Sequence, residues 1–170
     1  ESIGYGASSR NGGQVGSGNQ RFTVQRLTER YGREQARALI LEGTAALNYV
    51  KSFVVDEGIE CHLRVNGRFR GASRPEHYDN MARDLENLQD VSGVEAHMVS
   101  RAEQADEIGS ELYHGGMVLP LDASLHPALY VKGLSERAEQ AGVTLRSHTR
   151  VTRLEQAAES VTVHTEAGIV

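Results

Sequence analysis

In this 170-residue chain, the stretch GYGASSRNGGQVGSGN, residues 4–19, holds the residue types best suited to chemistry. Its glycines, at positions 4, 6, 12, 13, 16 and 18, leave the main chain bare. A bare main chain has two uses: it serves as a flexible leader, or it lets backbone N–H groups approach a ligand that a Cβ would hold off. Two sharper chemistries find no support. The seven histidines, His62, His77, His97, His114, His126, His148 and His164, show neither an H-x-x-x-H pair nor a Cys/His cluster, so no metal is expected. There is no G-x-S-x-G elbow, so hydrolysis has no motif behind it.

The residues after the glycine run decide between leader and ligand surface. Apolar residues at Leu39, Ile40, Leu47, Val50 and Val54 recur at helical spacing and predict a long helix over about 33–57, with Gly32 dividing off a short helix before it and Gly58 closing it. From Ile59 the pattern alternates around Asn66-Gly67, which predicts a hairpin of two antiparallel strands. Pro75 opens a helix with Tyr78, Met81, Leu85 and Leu88 on one face. VEAHMVS reads as a strand and RAEQADEIG as a small acidic helix with a solvated face. LYHGGMVLPLDASLHP reads as an extended strand in close approach at Gly115 and Gly116. A helix bounded by Pro127 and Gly142 comes next, and VTLRSHTRVTRL and SVTVHTEAGIV close the chain as strands. The order is loop, long helix, antiparallel insert, second helix and strands, which predicts a mixed α/β fold.

Composition narrows the partners. Hydrophobic residues at 39% and charged residues at 24% are ordinary for a folded soluble domain. Lys and Arg number 18 against 23 Asp and Glu, and a net charge of -5 gives no general attraction to nucleic acid or to anionic membranes. No uninterrupted apolar run of membrane-spanning length is seen, and no signal peptide. Cys61, the single cysteine, reads as a small buried hydrophobe and agrees with a reducing, cytoplasmic setting. The chain starts at Glu1 and stops in TEAGIV, which reads as a segment of a longer protein.

Three stretches together carry a resemblance: IGYGASSRNGGQ, YHGGMVLPLDASLHPALYVKGLSERAEQAGVTLRSHTRVTRLE and VTVHTEAGIV, with MARDLENLQDVSGVE beside them. They resemble the glycine/D-amino-acid oxidase (DAO) family of FAD-dependent oxidoreductases, particularly the branch acting on amines such as gamma-glutamylputrescine. The resemblance implies a partial Rossmann-like FAD-binding domain with an inserted antiparallel sheet and helix. Residues 1–58 would be an FAD-domain piece, 59–126 a substrate-domain piece, and 127–170 the FAD-domain helix, strand and β-meander. Neither the family's G-x-G-x-x-G turn nor its ribose-binding acid is present, and Glu1 is not given the latter role.

By the same resemblance, Gly6, Ala7, Ser8 and Ser9 would run beside the FAD pyrophosphate, and Arg10, Asn11, Gly12 and Gly13 beside the flavin ring. Arg10 would offset phosphate charge, and Gly16 to Asn19 reads equally well as flexible linker. The residue at Val151 would lend its main chain to the adenine edge, although read from the residues alone it is an ordinary buried strand valine. The reaction implied is oxidation of a C–N bond in an amine or amino acid, with flavin as hydride acceptor. No catalytic residue is assigned; Tyr113 and His114 are the nearest candidates, with His126 read as a helix cap. The isolated segment is expected to be inactive, to hold FAD weakly, and to self-associate or domain-swap through exposed faces. The other reading from residues alone is a non-catalytic module that binds an anion or a protein partner.

Overall fold

The computed structural model describes residues 2–18 and 22–169; Glu1, Asn19, Gln20, Arg21 and Val170 lie outside the described residues. Thr23 accepts the Arg26 amide on Oγ1 at 3.3 Å and so caps helix α1, Val24–Tyr31. Gly32 then takes φ +83, donates its N–H to the Thr28 carbonyl, and starts α2, Arg33–Asp56. The helix over 33–57 and the break before it are therefore as the sequence predicts. α2 is 24 residues long, and its most apolar stretch has a mean hydropathy of 1.3, enough by length and composition alone to cross a membrane. Its Ala36, Ile40, Gly43, Leu47 and Val54 are nevertheless buried within the protein, at the spacing of a core-facing stripe.

The chain forms two compact units. One comprises Gly13–Gly58 and His62–His126, and the other Glu1–Gly12, Ile59–Cys61 and Pro127–Val170. In the first of these, α1, α2 and α3, Pro75–Ser92, enclose Leu27, Ala36, Ile40 and Val91. Earlier on α3, Leu85 packs with Met117 and Leu119 of a three-stranded antiparallel sheet. That sheet runs β2, Arg68–Gly71, then β4, Gly116–Leu119, then β3, His97–Val99, and all four residues of β4 are buried. Helix α4, Gln104–Ile108, supplies the fully buried Gln104, whose Nε2 donates to the carbonyls of Arg101 and Tyr113.

The predicted hairpin at Asn66-Gly67 does not form. Gly67 does turn the chain, with φ +71, but the two arms find different partners. Arg64 bridges to Ser124, while Arg68–Gly71 pairs with β4. The local turn signal is outweighed by a buried strand that contributes apolar side chains to the core. A short ladder joins β1, Gln14–Val15, to β5, Ala123–Ser124. Among the described residues every strand pairing is antiparallel.

In the other unit, α5, Pro127–Gln140, packs on a single 3-10 turn at Ala7–Ser9 and on buried Ile59. Gly133 allows that contact, since a Cβ there would stand 3.2 Å from Ile59 Cβ and closer still to its Cγ2. The closing strands are β6, Val151–Gln156, β7, Val161–Thr165, and β8, Gly168–Ile169, an antiparallel meander. The strand predicted over 143–154 begins only at Val151, after His148 takes a left-handed φ of +57.

An exposed ion pair ties α2 to α3, with Arg33 Nη1 at 2.9 Å from Asp90 Oδ2. The Arg33 hydrogen bond, and then its charge, hold the Asp90 carboxyl below the usual carboxylate range. Because the folded value is depressed, the pair's contribution is present above the unfolded carboxylate pKa and disappears as pH falls through the folded one. An NMR acid titration should find Asp90 protonating below an ordinary aspartate, and Arg33→Gln should return it to the ordinary range.

Candidate functional site

The glycine-rich segment divides into two physical kinds of backbone. Gly6 precedes the 3-10 turn in extended conformation, φ -83 and ψ -161, a geometry open to any residue. A Cβ built on Gly6, or on Gly12, meets nothing within 4 Å, and neither glycine has a left-handed φ. Among the described residues nothing calls for glycine at either position. A main chain kept bare toward open space is what a ligand laid directly on it requires. Between them, Ser9 Oγ donates to the Gly4 carbonyl, and Asn11 Nδ2 donates to the carbonyls of Ala7 at 2.9 Å and Ser8 at 3.1 Å. These bonds hold the turn, so Ser9 and Asn11 shape the loop. Arg10 lays its guanidinium over the Tyr5 ring, 4.4 Å from the centroid.

Beyond Gly12 the glycines face the protein. Gly13, φ +67, is buried and accepts the Leu125 amide at 2.9 Å. A Cβ on Gly16 would stand 2.6 Å from Asp122 Oδ2, and one on Gly18 would stand 3.7 Å from Arg68 Nη2. Asp122 is 2% exposed, accepts the Ser17 amide on Oδ1 at 3.1 Å, and faces Arg68 Nη2 at 3.0 Å from Oδ2. Gly16, Ser17 and Gly18 are thus seated on an ion pair, which corrects their reading as linker.

A family model described as FAD dependent oxidoreductase (DAO) matches residues 1–170, the whole chain. This chain belongs to the DAO family. The Probable oxidoreductase OrdL of Rhizobium meliloti (strain 1021) is 30% identical over 173 residues, covering 99% of this chain and 39% of that protein. Glycine oxidase from Geobacillus kaustophilus superimposes with a TM-score of 0.73 at 22% identity, over 98% of this chain and 43% of that one. L-proline dehydrogenase from P. horikoshii gives 0.68 at 16% identity, over 99% and 41%. The likeness to these two structures is one of fold, mixed α/β, and the chain spans about two fifths of the length of such relatives.

FAD is the cofactor of this family, and the main chain of the DAO chain at Gly6 and Gly12 is open enough for a ligand to lie against it. Val151, the adenine-edge residue implied by resemblance, is 51% exposed at the start of β6, so its reading as a buried valine is overturned. The ladder slips between Val151 and Arg153, and such irregularities leave main-chain groups free of regular pairing. Just before it, Arg146, His148, Thr149 and Arg150, with Glu166, line a polar groove of about 610 Å³. Gly6 to Gly12 and Val151 fall in one unit and Gly13 in the other.

Tyr113 and His114 in this DAO chain serve the sheet. The Tyr113 ring lies on Gly71, where a Cβ would come within 2.5 Å of it, and 6.0 Å from the Phe69 ring. His114 donates its amide to the Ala72 carbonyl at 2.8 Å and sets Nδ1 3.5 Å from Arg101. His126 faces His62 with ring centroids 6.3 Å apart, and His62 has a left-handed φ of +55. Asp122 and Arg68 are not singled out by any sequence motif. A signal exists all the same: a lone acid inside the apolar run MVLPLDA marks a carboxylate destined for burial with a partner.

Proposed function

We propose that this chain is part of an FAD-dependent oxidoreductase that oxidises the C–N bond of an amine or amino acid, in the gamma-glutamylputrescine oxidase-like branch. FAD, when bound, supplies the acceptor for the hydride equivalent leaving the carbon next to nitrogen. The chain's own work is to bind and orient. Gly6 to Gly12 offer a bare main chain to the pyrophosphate and flavin, Arg10 offsets phosphate charge, and Val151 adds main-chain contacts. The polar groove before Val151 supports an adenine-ribose end near Arg146 and Arg150. The substrate class rests on relatives named glycine oxidase and L-proline dehydrogenase, together with the motifs shared with the amine branch.

One observation carries the reading: among the described residues nothing approaches the place of a Cβ at Gly6 or Gly12. The test substitutes Gly6→Val in the protein that carries this chain. A Cβ there meets nothing within 4 Å, so the melting temperature of the FAD-free protein should stay within the shift expected of a neutral surface change, about 0.5 kcal/mol. FAD affinity, followed by quenching of flavin fluorescence, should fall about tenfold or more, equivalent to about 1.4 kcal/mol. Unchanged FAD affinity with unchanged stability would remove the glycine segment from the cofactor site.

A further inference from the structure

We propose that the groove ahead of β6 is a phosphate-binding site, taking a phosphate group either free or carried on a small molecule. All five lining residues, Arg146, His148, Thr149, Arg150 and Glu166, belong to one compact unit. The run RSHTR sets Arg146, His148 and Arg150 at alternate positions, which in an extended strand share a face. Here His148 leaves the extended region, with φ +57, and Thr149 Oγ1 donates to the Ser147 carbonyl at 3.0 Å. The chain turns between the two arginines, and both still line one groove. The Glu166 amide donates to the Arg150 carbonyl at 3.3 Å and so holds the β7–β8 turn beside them. A left-handed residue other than glycine is uncommon, and such residues gather at ligand sites.

Charge selects the ligand. Two guanidiniums face one carboxylate in this groove, within a chain whose net charge is -5. The fold makes little use of them. Arg146 has no side-chain hydrogen bond or ion pair among the described residues. Arg150 Nη1 stands 3.8 Å from Glu166 Oε1, beyond hydrogen-bond reach, with the two side chains 81% and 65% exposed. So exposed a pair adds little stability. The donors of both arginines are therefore left for a ligand, and a planar guanidinium matches phosphate oxygens two at a time. His148 adds a ring N–H even when neutral. At about 610 Å³ the groove has the volume of a small-molecule site, larger than a bare phosphate fills. Glu166 can accept a hydroxyl from the rest of such a molecule. The site is argued from the groove alone and does not depend on where FAD lies.

The test is a calorimetric titration of the FAD-free protein that carries this chain with inorganic phosphate, adenosine 5′-monophosphate and adenosine. Phosphate should bind with a dissociation constant of about 1 mM or lower, and adenosine about tenfold or more weakly than its monophosphate. Arg146→Gln and Arg150→Gln should each weaken phosphate about tenfold with the melting temperature unchanged. Glu166→Gln removes the negative charge of the groove and should tighten phosphate, an effect no structural role predicts. Arg153→Gln is the control: its guanidinium pairs with Glu155 at 2.6 Å and does not line the groove, so affinity should change less than about twofold. A monophosphate that binds tighter than inorganic phosphate marks a carried group, and the reverse a free one. Adenosine binding as tightly as its monophosphate, or phosphate affinity untouched by Arg146→Gln, would overturn the site. FAD affinity of the same variants separates the two readings. If Arg146→Gln weakens FAD but not phosphate, the phosphate site fails and the placing of the adenosine end stands; if it weakens phosphate alone, the reverse holds.

Discussion

Gly116→Val is expected to lower the melting temperature more than any surface change in this chain. Gly116 lies in β4, the central strand of its sheet, opposite Gly71 on one side and Val99 on the other. A Cβ there meets the Arg70 carbonyl oxygen well inside any real contact distance and stands 2.5 Å from Phe69 Cζ. A backbone oxygen in a ladder cannot step aside as a side chain can, so the whole β2–β4 pairing must shift. Overpacking alone costs about 1–3 kcal/mol, and a displaced ladder puts the loss at the upper end, about 3 kcal/mol. At 2–4 °C per kcal/mol for a domain of this size, a fall of roughly 6–12 °C is expected. Gly12→Val is the matched control, since its Cβ meets nothing within 4 Å; a thermal scan showing equal shifts for both would refute the packing argument.

Leu27→Ala should produce the second large effect. Leu27 is 1% exposed and sits where α1 meets α2 and α3, beside Ala36, Ile40 and Val91, with Phe22, Val24, Leu39 and Leu88 around them. Alanine removes the apolar contact and leaves a cavity, because three helices anchored by other residues cannot close on it. Measured Leu→Ala substitutions of this kind cost about 2.7–5 kcal/mol, and a value in that range is expected here. Urea denaturation should show a lower midpoint with an unchanged slope. Leu27→Met, which keeps the volume, should cost less than about 1.5 kcal/mol. If the two substitutions cost the same, the cavity is not the cause.

These stability effects concern the scaffold, whereas Gly6→Val addresses the ligand. The contrast among glycines is what ties the two. Gly116 and Gly133 are small because the protein presses on them and Gly16 because a carboxylate does, whereas at Gly6 and Gly12 no described residue comes within 4 Å of a Cβ. Only the last pair needs an outside partner to account for the missing side chain.

Much of the fold is legible in the sequence because it is local. The helix from Arg33, its break at Gly32, the helix from Pro75 and the one from Pro127 follow from periodicity and from proline and glycine at their ends, signals confined to a few turns. The family, too, is legible, because its motifs are strings of residues. The strand partners are not. Asn66-Gly67 bends the chain as its type demands, yet which strand Arg68–Gly71 joins depends on burying Met117 to Leu119, some fifty residues away. Nor can a sequence distinguish glycines that touch a carboxylate from glycines that face open space. That distinction belongs to the tertiary structure, because contact across more than a hundred residues, as between Ser17 and Asp122, leaves no trace in local spacing.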